Sequence, residues 1–348
     1  MKEGPLLRTR IRLGELHDDA RLDAYAREHP QGTPFHLAAW GRGVAAGCGQ
    51  RHVALVAERG GALTGFVPLT EVHSPLFGRA LVSSGFAVGG GIIADDDATA
   101  ELLAEAAWDQ AERRVCPTLE LRGGHLPEGW ARDETSYVGF TRPIAADDEA
   151  ELKAIPRKQR AEVRRALGFD LEVEIGRDVA THHAVYATSV RNLGTPVFPR
   201  RMFAEVLERF GEEADILTVR HDGRAIASVL SLYWRGCVMP YWGGGTAEAR
   251  TWRANDLMYF ALMRHARERG CTSFDFGRSK VGTGAAAFKR NWGFEAVPLA
   301  YASRTAAGEA KREINPLSPK YRMQVALWQK LPLRVANLLG PGISRGLG

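Results

Sequence analysis

The sequence predicts a mixed α/β protein built twice on one plan, and three observations predict it. First, HVALVAERGGALTGFVPLTEV (52–72) and DILTVRHDGRAIASVLSLYW (215–234) each carry alternating apolar runs on both sides of a tight turn. The turns are Gly60-Gly61 and Asp222-Gly223, so both stretches read as β-hairpins. Second, each is followed by a glycine triplet, Gly89–Gly91 and Gly243–Gly245, and then a helical stretch, 99–114 and 255–270. Third, each helix leads into a short apolar strand, CPTLELRG (116–123) or CTSFDFGR (271–278). Cys116 and Cys271, and likewise Glu120 and Asp275, are separated by the same 155 residues.

Each half thus runs helix, hairpin, strand, helix, strand, which is an α+β or α/β layered sheet. At 348 residues the chain is long enough for two cores. The acidic, proline-containing segment RPIAADDEAELKAIP and the basic helix after it, from about Glu149 to Leu167, mark the boundary. The expected domains are 1–148 and 149–310, followed by a basic amphipathic tail at 311–348.

Composition excludes several classes. With 45% hydrophobic and 25% charged residues the chain is globular rather than disordered. Four scattered cysteines without CxxC spacing argue against a zinc site or disulfide framework, and His182-His183 lack a carboxylate at ligand spacing, so no metal is expected. The N-terminus lacks an apolar core of signal-peptide type, and the 80–94 stretch is too short and glycine-rich to span a bilayer. The expected location is cytoplasmic, with room for a peripheral place at the inner membrane. A net charge of +5 suits anionic partners.

The halves differ in chemistry. The first ends in LELRGGHLPEGW, the second in FDFGRSKVGTGAAAFKRNWGF, Phe274 to Phe294. In the latter, Asp275 points away from Phe274 and Phe276 because strand side chains alternate. It is either an edge acid or a salt-bridge partner for Arg278 and Lys280. GRSKVGTG, with Ser279 and Thr283 as further donors, opens a helix; it is either a mobile surface loop or a dock for phosphate or carboxylate. Phe288 and Trp292 share a helical face, with Lys289 and Arg290 displaced from it and Gly293 as its stop before a strand, FEAVPLAY. A second cluster, MPYWGGGTAEARTWRAND, holds Tyr241, Trp242, Arg250, Arg253 and Asn255, with Asn255 or Thr251 as a helix cap. The helix KAIPRKQRAEVRRAL is either a solvated face or a polyanion dock.

The stretch FDFGRSKVGTGAAAFKRNWGFEAVPLAY, together with the tail from NPLSPKYRMQ onward and GTPFHLAAWGRGV (32–44), resembles the Fem-type aminoacyltransferases of the GNAT (GCN5-related acyltransferase) superfamily. More narrowly it is similar to FemAB-like proteins found beside exosortase/PEP-CTERM and exopolysaccharide loci. The resemblance implies tandem duplicated GNAT-like domains. It implies acyl transfer to an amine on a cell-envelope or exopolysaccharide precursor, chemistry in the second half, and an acceptor between the halves. The family's Phe-Lys pair falls on Phe288 and Lys289, with Lys289 stabilising the developing oxyanion. Deprotonation of the amine falls to the substrate itself, to Asp275 or to Tyr241, and the sequence does not choose among them. Substrate binding is expected of His36, Trp40, Arg42, Trp242, Arg253, Asn255, Arg278, Ser279 and Lys280.

No tightly bound cofactor is expected; the donor is aminoacyl-tRNA or acyl-CoA, and the acceptor carries phosphate or glycan. Two departures bear on the donor. No 50-residue heptad arm for tRNA is present, and the usual pyrophosphate loop, Gln/Arg-x-x-Gly-x-Gly/Ala, here reads Arg250-Thr-Trp-Arg253-Ala-Asn255. The alternatives are an acyl-CoA-dependent N-acetyltransferase and a non-catalytic binding partner in polysaccharide assembly. The tail's Lys320, Arg322, Lys330 and Arg334 among apolar residues suit either an anionic membrane surface or packing on the domain. Oligomeric state is left open.

Overall fold

The computed structural model describes residues 8–74, 77–310 and 319–347. In chain order the first part runs β1 (Thr9–Leu13), α1 (Asp19–Glu28), α2 (Ala38–Cys48), β2 (Arg51–Arg59), β3 (Ala62–Ser74), β4 (Gly78–Ser83), β5 (Ile93–Ala94), α3 (Asp97–Arg113), β6 (Thr118–Arg122) and β7 (Ala131–Asp133). Then come β8 (Tyr137–Gly139), β9 (Thr141–Pro143), α4 (Asp148–Ala154), α5 (Arg157–Leu167), β10 (Glu172–Gly176), α6 (Val179–Leu193), α7 (Arg200–Phe210), β11 (Ala214–His221) and β12 (Arg224–Trp234). The last stretch is β13 (Cys237–Gly245), α8 (Ala247–Thr251), α9 (Ala254–Glu268), β14 (Ser273–Asp275), β15 (Ser279–Lys280), α10 (Gly284–Asn291), β16 (Val297–Pro298), β17 (Tyr301–Thr305), α11 (Pro319–Gln329) and α12 (Leu333–Ser344).

The chain divides into two compact units. Unit 1 is residues 1–134, 300–314 and 345–348; unit 2 is 135–299 and 315–344. These differ from the expected halves, and hydrogen bonding is the reason. β9, assigned from the sequence to the first half, pairs antiparallel with β14, and β8 pairs with β15 and β16. Conversely β17, late in the chain, pairs with β6 and β7. A strand goes where its backbone donors and acceptors are answered, whichever half of the sequence it comes from. The tail is not a separate domain either: α11 and α12 lie on α6 in unit 2. Residues 311–318 of it, and the side chains of Lys320 and Arg322, lie outside the described residues.

The main sheets of the two units share a plan, β1-β2-β3-β4-β6-β17-β7 in unit 1 and β10-β11-β12-β13-β14-β9 in unit 2, and unit 2 adds a small sheet, β15-β8-β16. In both, a hairpin leads to a third strand, a helix crosses over, and the next strand pairs parallel: Leu81 with Leu119, and Val238 with Phe274. The hairpin turns are left-handed at both residues, Gly60 and Gly61 or Asp222 and Gly223, as the twist of a tight hairpin requires. α3 buries Leu103, Ala104, Ala107 and Ala111 against the first sheet; α9 buries Met258, Leu262, Met263 and Ala266 against the second.

The hairpins are offset by 162 residues, not 155, and this corrects the glycine match. Gly65 and Phe66 pair with Ala94 and Ile93, whereas Ala227 and Ser228 pair with Gly245 and Gly244. Ile93-Ala94, not the Gly89–Gly91 triplet, therefore stands where Gly244-Gly245 does. The basic helix expected from about Glu149 is also two helices, broken at Ile155-Pro156, because the residue before proline is driven out of the helical region. The strand expected after Gly293 is split into β16 and β17, which join different sheets. Among the described residues no helix is long and apolar enough to cross a membrane.

Candidate active site

The site is built at the end of β14 in unit 2. β13 and β14 are paired only at Cys237–Ser273 and Val238–Phe274, although β13 continues to Gly245. At Tyr241 the β12–β13 ladder slips by one residue, so Tyr241 is a bulge and its neighbours Pro240 and Trp242 remain paired. The backbone of β13 is thus released from β14 beside the glycine run.

Asp275, the last residue of β14, is half-buried while Phe274 and Phe276 are in the core. One carboxylate oxygen accepts the Gly277 N–H at 2.7 Å, and Thr141 of β9 supplies a side-chain hydrogen bond. Burial raises the Asp275 carboxyl above the ordinary aspartate range, against these bonds and the Lys289 charge, which pull it down.

Lys289 comes from α10, whose N-terminus is fixed by the Thr283 hydroxyl accepting the Ala286 N–H. Its Nζ donates to the carbonyls of Gly277 (3.2 Å) and Arg278 (3.0 Å), and lies 5.4 Å and 6.0 Å from the ring centres of Phe140 and Phe276. Burial lowers its pKa to about 8, with Asp275 opposing that shift and Arg278 adding to it. Two ammonium protons are directed at carbonyls, which leaves one for a further acceptor.

Phe288, the neighbouring residue on α10, turns the other way. It leans on Tyr259, Phe276 and Trp292 and lines a recess of about 270 Å³ with Gln159, Glu162, Arg250, Arg253, Asn255 and Asp256. Arg253 is ion-paired to Glu162, and Gln159 donates to Asp256, whose carboxyl burial pushes up to about 6. Arg253, not Asn255 or Thr251, caps α9, in a left-handed conformation (φ 55°) and without a side-chain cap bond. Asn255 lies inside the helix, its buried Oδ1 lacking a hydrogen-bond partner among the described residues.

The expected residues therefore separate. Lys289, Asp275 and the backbone of Gly277–Arg278 come together; Phe288, Arg253 and Asn255 meet in the adjoining recess. Arg278 lies over the Tyr137 ring at 4.8 Å. Ser279 is buried, and Ser279-Lys280 form a strand against β8, so GRSKVGTG is a paired segment rather than a loose loop. Trp242 packs with Phe198 and Phe203, and Tyr241 stands edge-on to it.

Three expected substrate residues belong to unit 1 and are held by its framework. Trp40 is fully buried, its indole N–H donating to Gly85, which places it in the core and not on a binding surface. His36 is likewise buried, bonded to Thr33 and Gly91, and burial pushes its pKa down to about 4. Arg42 is tied to Asp19 at the edge of a 170 Å³ cavity that His36 and His52 also line. Phe140, Thr141, Gln159, Glu162 and Asp256 complete the unit 2 site, Gln159 and Glu162 coming from the basic helix expected as a solvated face or a polyanion dock. Phe140 and Thr141 precede the expected boundary, and no local pattern announces that β9 pairs with β14. Asp256 carries no signal because an acid in a helix's first turn is ordinary.

Residues 153–290, which include every residue of this site except Phe140 and Thr141, match the family model described as Acetyltransferase (GNAT) domain. No curated protein matches the sequence. Among solved structures the chain resembles FemX (TM-score 0.64, 16% identity, covering 83% of this chain and 96% of that one). It also resembles a tandem GNAT protein from the clavulanic acid biosynthesis pathway (0.55, 13%, 87% and 100%). A third is the C-terminal domain of a putative lysylphosphatidylglycerol synthetase from Agrobacterium fabrum (0.55, 13%, 84% and 93%). At such identities the likeness is one of fold. The class so defined is one of fold: a duplicated GNAT-like architecture whose residues 153–290 match the GNAT domain model.

Proposed function

We propose that the chain is an N-acyltransferase whose chemistry resides at Lys289 in unit 2, the acceptor being an amine of an envelope or exopolysaccharide precursor. The observation that carries this reading is the lysine itself: an ammonium held against Gly277 and Arg278, with one proton uncommitted, beside a carboxylate at the released end of β14. The acceptor nitrogen attacks the donor carbonyl carbon directly. The C–N bond forms, the carbonyl oxygen gathers charge against Lys289 Nζ, and the bond to the leaving ester oxygen then breaks. The proton lost by the attacking amine passes to Asp275, whose raised affinity suits a base, and ends on the leaving group.

For the donor we favour an aminoacyl ester. In the loop where GNAT enzymes hold the acyl-CoA pyrophosphate, Arg253 puts a side chain where backbone approach needs none. Glu162 pairs with Arg253 there, and the Asp256 carboxyl lines the same recess. These residues do not fit a pyrophosphate in the usual manner.

The test is a transfer assay with labelled aminoacyl-tRNAs or labelled acetyl-CoA and an amino-bearing UDP-sugar acceptor. Lys289→Met is expected to lower kcat about 10²- to 10³-fold, as for loss of one oxyanion donor, with the far-UV spectrum unchanged. Transfer from acetyl-CoA alone would replace the ester donor with a thioester. An unchanged rate in Lys289→Met would remove the site assignment. Absence of transfer and of donor binding at millimolar concentration would favour a non-catalytic partner.

A further inference from the structure

The two C-terminal helices present an apolar face that unit 2 leaves uncovered. α12 turns Ala336, Gly340 and Ser344 inward; Gly340 abuts Val197, and the Ser344 hydroxyl donates to the Val197 carbonyl. Its outward side carries Val335, Leu338 and Leu339, exposed by 39%, 79% and 48%, beside exposed Arg334. α11 repeats the arrangement. Val325 is set against Gly194 of unit 2, and Gln329 exchanges hydrogen bonds with Asn192 and Arg191. Met323 and Leu327, exposed by 76% and 65%, stand outward with Lys330 at the i, i+4, i+7 spacing of one helical face. Scattered exposed leucines need no explanation, but five large apolar residues on the outward sides of consecutive helices do.

Charge chooses among occupants. From Asn315 to Gly348 the sequence has five cations and no acidic residue. A second copy meeting this face about a two-fold axis would set Lys330 and Arg334 against themselves, with nothing in the segment to answer them. Leucines and methionine interleaved with cations, on helices lying along a surface, match an anionic bilayer: the apolar tips enter the acyl boundary while the cations meet the headgroups.

We infer that α11 and α12 form a docking face for an anionic phospholipid surface, with Met323, Leu327, Val335, Leu338 and Leu339 inserting and Lys330 and Arg334 at the headgroup level. Docking is independent of the acyl-transfer reading and is read by binding alone.

The experiment is co-sedimentation of the full chain with phosphatidylcholine vesicles, with and without about a quarter phosphatidylglycerol, at low and high salt. Binding is expected only to the anionic vesicles and weakens with salt. Lys330→Gln with Arg334→Gln, both solvent-exposed and harmless to packing, lowers the partition coefficient about tenfold or more. Leu338→Ser with Leu339→Ser lowers it by at least about tenfold. Equal binding to neutral vesicles overturns the inference, as does binding that either double variant leaves unchanged. If the chain binds no vesicle and instead forms a dimer that Leu338→Ser with Leu339→Ser dissolves in sedimentation velocity, the face belongs to a second copy and the lipid surface is wrong.

Discussion

The two units share one plan, yet the same position of the sheet is closed in one and open in the other. In unit 1, Ser83 pairs with Leu69 and Ile93 with Phe66, so nine residues, 84–92, interrupt the third strand. In unit 2 the corresponding partners are Pro240 and Gly244, and only Tyr241–Gly243 stand between. The inserted segment of unit 1 bends through left-handed Ser84, Phe86 and Gly90. The Ala87 carbonyl accepts a hydrogen bond from Arg122, whose Nε donates to Glu120 at 2.7 Å. Glu120 is the counterpart of Asp275, so the carboxylate of unit 1 is answered by a buried arginine from its own strand. That of unit 2 faces a lysine delivered by α10, and the lysine keeps a proton for something else. A duplicated fold can thus retain the strand and its acid while only one copy retains a charge that is not consumed internally.

Trp40→Ala should destabilise unit 1 by about 3–5 kcal/mol, the cost of emptying a fully buried aromatic site, as read from urea denaturation. A stability change under 1 kcal/mol with a raised acceptor KM would restore Trp40 as a binding residue.

A smaller effect separates the paired carboxylates. Glu120→Gln should cost about 1–3 kcal/mol by leaving the buried Arg122 guanidinium poorly answered, with transfer per folded molecule unchanged. Asp275→Asn should instead lower transfer and shift its alkaline limb down, because the carboxylate that raises the Lys289 pKa is gone. Equal losses of transfer in both variants would erase the distinction between the copies.

The gentlest test is pH. Lys289 has a folded pKa of about 8 against 10.5 for an unperturbed lysine. Between these values the unfolded chain binds more protons, so this residue's contribution to stability rises with pH, by at most about 3 kcal/mol. Transfer that needs the ammonium falls over the lower part of the same window. Opposite slopes of activity and of unfolding free energy above about pH 8, with the stability slope flattened in Lys289→Met, are the expected outcome.

Hairpins and helices were legible because each is written locally. Alternation, Gly-Gly and Asp-Gly turns, and helical spacing act within a few residues. The Phe288-Lys289 pair stood out by contrast with its duplicate. The glycine triplets misled because equal spacing mimics equal register, and only the ladder reveals the inserted residues 84–92. His36 and Trp40 read as ligands because a sequence does not say which polar or aromatic side chain is buried.

By itself, then, the sequence determined that the chain is one α/β plan used twice, with cations and an acid gathered at a single strand-to-helix junction. The tertiary structure alone decided that β9 and β17 complete sheets in the opposite half's unit, that Phe140 and Thr141 join Lys289 and Asp275, and that Arg122 occupies Glu120. Those outcomes depend on which distant backbone and charge find a partner, and long-range pairing leaves no period in the chain to be read.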